Sequence, residues 1–192
     1  MTTPQPSIWA NIHVPAFKPV RFIPAASEAA IRGLTVSRFY AAAHKVESQH
    51  TTGAKRTNHW AFYIQSTTND WIRIDVTPSG LPGPNNGGSK ANIVISHLPY
   101  KSLSNSVEHQ NELRLQTPIT VGWIVDTIVG AGRDKYEFNA QGVGCRNWIV
   151  DQLALLASAF HGPDVQAATN DVSMLWPART QSPLSSGAGY YS

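Results

Sequence analysis

From Trp71 to Thr77 the chain alternates strictly: Ile72, Ile74 and Val76 are apolar, while Arg73, Asp75 and Thr77 are polar. This period of two predicts a strand with one face in a core and the other free for polar chemistry. Just upstream, residues 58–65 (NHWAFYIQ) are rich in aromatic and β-branched side chains. The turn-forming Ser66-Thr67-Thr68-Asn69-Asp70 lies between the two runs, so together they read as a hairpin. With the turn centred on residues 67–69, residues 75–77 fall opposite 59–61. Further strands are expected over 20–23, 36–46, 92–98 and 112–116, with Ala41-Ala42-Ala43 leaving the second of these ambiguous in type. Residues 78–90 (PSGLPGPNNGGSK) predict a mobile loop, neither helix nor strand.

Helical spacing governs other segments. Ser27 to Arg32 reads as a short helix with Ser27 as cap and Gly33 as stop. Thr117-Pro118 has the cap-then-proline pattern of a helix start. Val121, Ile124, Val125 and Ile128 form the apolar stripe of that helix, and Gly130 and Gly132 end it. A second helix is expected from Cys145 to about Phe160, burying Trp148, Ile149, Leu153, Leu156 and Phe160, with Gly162-Pro163 as its breaker. A last short helix is expected within 164–176. The fold class is α+β: an antiparallel sheet packed against helices, with the Cys145 helix lying on the sheet. Residues 1–19 read as a proline-punctuated arm, 20–180 as a single domain and 181–192 as a disordered Ser/Gly-rich tail.

Composition narrows the function classes. The chain has 192 residues, 42% of them apolar and 14% charged, which fits a globular domain with a substantial core. Its net charge is +3, but Lys and Arg are scattered singly, with no basic stripe interleaved with aromatics, which argues against nucleic acid as a partner. No apolar stretch approaches the ~20 residues that span a bilayer. The N-terminus carries no secretory pattern, so a cytoplasmic location is expected.

Cys145 is the only cysteine, so no internal disulfide forms. A lone cysteine in an apolar-rich domain is most often an inert buried residue. This one follows the glycine turn Gly142-Val143-Gly144 and opens a helix, where unpaired N–H groups and the helix dipole favour thiolate. Of seven histidines, His59 is the best placed base, because it opens a strand whose following residues fix its orientation. Asp75 is the expected orienting group; a slipped register would substitute Thr77 or a backbone carbonyl. His13, His44 and His50 lack the spacing of a compact zinc site, and neither metal nor cofactor is expected. Residues 83–90 lack the glycine spacing and strand–helix frame of a phosphate loop.

These residues carry a resemblance. A strand opening Asn58-His59-Trp60-Ala61-Phe62-Tyr63-Ile64, a second strand Ile72-Arg73-Ile74-Asp75-Val76, and a downstream helix opening Gly144-Cys145-Arg146-Asn147-Trp148 together resemble the circularly permuted branch of the papain-like superfamily. Lecithin–retinol acyltransferase-like and PPPDE-like enzymes belong there, and the wording of the motifs is most similar to a poorly characterised domain family of filamentous fungi. The resemblance spans roughly residues 36–160. It implies a permuted papain-like arrangement, with Cys145 as nucleophile, His59 as base and Asp75 at the third position. Two departures stand out. Trp60 and Ala61 follow the histidine where small residues are usual, and Gly144 replaces an asparagine.

The function expected on this footing is cysteine-dependent acyl transfer on an amide, ester or thioester, with a small molecule or a peptide as substrate. Trp60, Trp71, Arg73, Gln141 and Trp148 are candidates to bind that substrate, with a place in the core as the alternative for the three tryptophans. Two alternatives use the same cleft: a small-molecule cyclase or isomerase of fungal secondary metabolism working by acid–base groups, and a non-catalytic binding module. The sequence does not fix the oligomeric state.

Overall fold

The computed structural model describes residues 16–46, 57–85, 87–185 and 190–191. The chain enters through β1 (Val20–Ile23), α1 (Glu28–Gly33), β2 (Val36–His44), β3 (Trp60–Ser66), β4 (Trp71–Pro82), β5 (Ser89–Leu98) and β6 (Val107–Leu113). It continues through α2 (Val121–Gly130), β7 (Tyr136–Glu137), α3 (Cys145–Leu155), α4 (Gly162–Val172), β8 (Met174–Leu175), β9 (Thr180–Gln181) and β10 (Tyr190–Tyr191). The main sheet runs β10-β7-β5-β4-β3-β2-β6, with β1 added alongside β5. Every pairing in it is antiparallel except β1 with β5. The fold is α+β, mixed but mostly antiparallel, with four helices packed on the sheet, as the sequence pattern predicts.

The alternation in β3 and β4 divides the sheet into two unequal faces. Trp60, Phe62, Ile64, Ile72, Ile74 and Val76 join Phe39, Ala41 and Ala43 of β2 in the main core, where Ile124 of α2, Trp148 and Ile149 of α3 and Ala168 of α4 meet them. Tyr40, Ala42, Ala61, Tyr63 and Trp71 form a smaller cluster on the other face, covered by Leu98, Leu103 and Val107. The pairing of Phe62 with Ile74 and Tyr63 with Arg73 continues to place residue 61 opposite 75, the register expected for the hairpin. Asn69 closes its turn at φ 64°, a conformation that asparagine tolerates better than most residues.

Several boundaries differ from expectation. Residues 78–90 are not a free loop. β4 runs on to Pro82 and β5 starts at Ser89, so the hairpin extends as an arm, with a register shift between Pro78 and Pro82. Strand pairing to β4 overrides local glycine and proline content. β6 lies upstream of 112–116 and its polar residues pair with β2, a tertiary contact that periodicity does not show. α2 begins at Val121, because the hydroxyl of Thr120 rather than Thr117 accepts the Trp123 N–H. α3 ends at Leu155, with a 3-10 turn over Ala157–Ala159. Gly162-Pro163 opens α4 instead of merely ending α3, since proline fits the first turn of a helix. Ser27 makes no side-chain cap bond.

Residues 181–192 read as disordered on composition, yet the described part is held down. Ser182 is buried, the guanidinium of Arg146 donates to the carbonyls of Ser182 and Pro183, and β10 pairs with β7. Most of the 1–19 arm lies outside the described residues.

Candidate active site

His59 immediately precedes β3, at the end of the sheet from which the β4–β5 arm projects. Asn58 fixes it there. This fully buried side chain donates from Nδ2 to the carbonyls of His44 (2.8 Å) and Trp176 (3.0 Å) and accepts the Trp176 N–H at Oδ1 (2.7 Å). The His59 carbonyl in turn accepts from the His44 N–H at 2.7 Å. The ring therefore projects from a backbone tied on both sides.

Nε2 of His59 lies 2.6 Å from Oδ1 of Asp75, and Oδ2 of Asp75 accepts from Nη2 of Arg73, also at 2.6 Å. The Asp75 side chain is only 6% exposed, against 36% for His59, so the carboxylate is sheltered and the imidazole reachable. Alternation delivers this arrangement. Arg73 and Asp75 point to the same face of β4, the face opposite the main core. Tyr63 sits there too, opposite Arg73 in the strand pair, and its hydroxyl lies 3.3 Å from Nε2 of His44. Nδ1 of His44 lies 2.8 Å from the Ser106 hydroxyl.

Cys145 is half-buried at the first position of α3 and packs against the main core. Its thiol is close enough to His59 for the two to shift one another's protonation. The preceding turn is built by Asn139, whose side-chain oxygen accepts from the N–H groups of Gln141 and Val143. Gly144 has no room for a side chain: a Cβ there would lie 2.9 Å from the Tyr136 hydroxyl and 3.1 Å from the Phe138 ring. That hydroxyl donates to the Gly144 carbonyl at 2.7 Å.

The electrostatics follow from these contacts. Burial opposes charge on both members of the pair and is overcome in both. The thiol is held below its usual range by its hydrogen bond and charge interaction with His59, by the Trp60 N–H and by the Arg146 charge. His59 is raised well above the ordinary histidine value by hydrogen bonds to Asp75 and Cys145. Asp75 is lowered against its own burial by the His59 hydrogen bond and by the His59 and Arg73 charges. Opposite shifts on thiol and imidazole favour the charged form of each beside the other. His44, whose ring centre is 5.8 Å from that of His59, is pushed down to about 4 by burial and by the His59 and Arg73 charges, so it stays neutral.

The structure thus brings together Cys145, His59, Asp75 and Arg73. It does not bring the aromatic candidates into a pocket. Trp60 and Trp148 are fully buried in the main core, and Trp71 stacks on Tyr40 across the other face at 5.9 Å. Gln141 is exposed on the turn, its N–H spent on Asn139. Arg73 binds Asp75. His44, Asn58, Tyr63 and Tyr136 emerge only from the fold. The signal available for Asn58 was its place, a polar residue directly before a strand that buries nearly everything after it. His13 and His50 lie outside the described residues. Among the described residues no group of three His, Cys, Asp or Glu side chains is arranged to hold a metal ion, and no helix is long and apolar enough to cross a membrane.

The fold and site together define an α+β domain in which a helix-initial cysteine faces a strand-initial histidine that is held by an aspartate. The chain belongs to the family DUF7770, a domain of unknown function, whose profile matches residues 39–190. No curated protein and no solved structure matches it.

Proposed function

We propose that this protein is a cysteine-dependent acyl-transfer enzyme, with Cys145 as nucleophile, His59 as acid–base and Asp75 as the group that orients His59. The observation that carries this reading is the His59 imidazole held at 2.6 Å by a sheltered carboxylate, with the helix-initial Cys145 thiol as its electrostatic partner. Such a nucleophile, base and orienting group in line is the working arrangement of thiol acyl transfer. The resemblance to the permuted papain-like superfamily points the same way. Of its two departures, Trp60 turns its ring into the core and Gly144 makes room for Tyr136.

In this mechanism the thiolate attacks the carbonyl carbon of an ester, thioester or amide, forming a C–S bond and a tetrahedral oxyanion. Free N–H groups at the start of α3 stabilise that charge. Collapse breaks the bond to the leaving group, which takes the proton from the His59 imidazolium. Water or another acceptor then gives a proton to His59 and attacks the acyl-enzyme, and expulsion of the thiolate restores the resting pair. The substrate is a small molecule or a peptide with an accessible carbonyl.

Alkylation of the native protein with iodoacetamide at pH 7, followed by mass spectrometry, tests the reading. Cys145 should react faster than a simple model thiol, and His59→Ala should abolish that advantage. A thiol no faster than the model compound and indifferent to His59→Ala removes the basis for the proposal.

A further inference from the structure

We propose that Tyr136 is a positioning residue for acyl transfer: its hydroxyl fixes the Gly144–Cys145 peptide so that the Cys145 N–H faces the developing oxyanion. This rests on the cysteine-nucleophile reading above.

The Gly144 carbonyl accepts two hydrogen bonds, from the Tyr136 hydroxyl at 2.7 Å and from the Trp148 N–H at 3.0 Å. The second is ordinary helix bonding; the first comes from outside the helix. A trans peptide points its N–H opposite its carbonyl. Holding the carbonyl along the helix therefore aims the Cys145 N–H out of the first turn, on the side where the thiol works. Gly144 offers no side-chain cap, and the first-turn N–H groups have no intrahelical acceptor. A carbonyl that accepts two bonds also polarises its own peptide, which makes the N–H a better donor.

Tyr136 is built for constancy. It is 1% exposed, and its ring meets Phe138 at 5.5 Å and Tyr191 at 5.3 Å, both edge-on. The Tyr191 hydroxyl is itself anchored on Asp151 at 2.6 Å. Burial holds the Tyr136 proton far above neutral pH, so the hydroxyl remains a donor throughout the working range. It occupies the space that any side chain at position 144 would need, and it supplies from across the chain the restraint that a capping residue supplies locally.

The test compares two reactions of Cys145 in Tyr136→Phe and in the wild type. Iodoacetamide alkylation displaces iodide at a saturated carbon and develops no oxyanion. Acylation by p-nitrophenyl acetate passes through a tetrahedral oxyanion before p-nitrophenolate leaves. Tyr136→Phe should alkylate within about twofold of the wild type while acylating about tenfold slower, since a support of the donor is lost and not the donor itself. An unchanged ratio of acylation to alkylation overturns the proposal while leaving the nucleophile reading intact. A wild-type thiol no more reactive than a model thiol towards either reagent overturns both. Should Tyr136→Phe not fold, Gly144→Ala displaces the hydroxyl from the carbonyl without altering the tyrosine, and the same selective loss is required of it.

Discussion

Replacing Asn58 with alanine separates anchoring of the site from its chemistry. The side chain serves three backbone groups: the carbonyls of His44 and Trp176 and the N–H of Trp176. Deleting it leaves all three buried and unpaired, at ~1 kcal/mol each at the low end of the usual cost. The expected loss is ~3 kcal/mol, equivalent to a fall in melting temperature of ~6–12 °C for a chain of this length. Urea unfolding followed by tryptophan fluorescence measures it. Because the His59 backbone sits in the same frame, alkylation of Cys145 in the folded variant should slow as well. Asn58→Asp adds a sign test. A carboxylate facing two carbonyls is disfavoured, so the folded pKa of the new group lies above its unfolded value near ~3.9. The stability deficit should therefore shrink as pH falls through the folded value and grow as pH rises. A loss under ~1 kcal/mol for Asn58→Ala, with alkylation unchanged, would refute the claim that this side chain sets the site's geometry.

The other predictions concern the polar groups around the thiol. His44 is neutral when folded, with its pKa lowered to about 4, so wild-type stability should fall by up to ~3 kcal/mol between pH 7 and pH 4 as the unfolded chain gains a proton that the native state refuses. His44→Gln should flatten that slope in paired urea titrations, and an unchanged slope counts against a buried neutral His44. Asp75→Asn removes the main hydrogen-bonding support of the imidazolium, so the acid limb of the alkylation–pH profile should move to higher pH, slowing the reaction several-fold at pH 6 with little change at pH 10. A superimposable profile would show that Asp75 does not act through His59. Gly144→Ala should cost ~1–3 kcal/mol in urea unfolding from overpacking against Tyr136 and Phe138.

The hairpin that holds His59 and Asp75 was legible because strict alternation fixes which residues share a face, and a five-residue turn fixes the register. Cys145 was legible because a glycine turn ran into a helical stripe. The pairing of these two with one another was expected from the resemblance and not from periodicity, since it depends on where α3 meets the end of β3, a tertiary placement that no local period encodes. Of the two readings open for the three tryptophans, substrate contact or core, the buried one holds for a related reason. Neighbours along a strand point to opposite faces, so Trp60 goes to the core because His59 does not. Arg73 was noticed, but its bond to Asp75 becomes visible only once both carboxylate oxygens are placed. The arm over 78–90 was missed because strand pairing with a neighbour outweighs the turn propensity of its own residues.

Arg146, one residue beyond the thiol, is a buried cation whose hydrogen-bond partners are the carbonyls of Val172, Ser182 and Pro183. Two of those three belong to a stretch made some 36 residues after the arginine itself, well behind every member of the Cys145–His59–Asp75 set. The charge beside the Cys145 sulfur is thus held in place by a segment distant in sequence from Cys145, His59 and Asp75. Loosening the chain around Ser182 and Pro183 would alter the thiol's electrostatic surroundings without touching any of those three side chains.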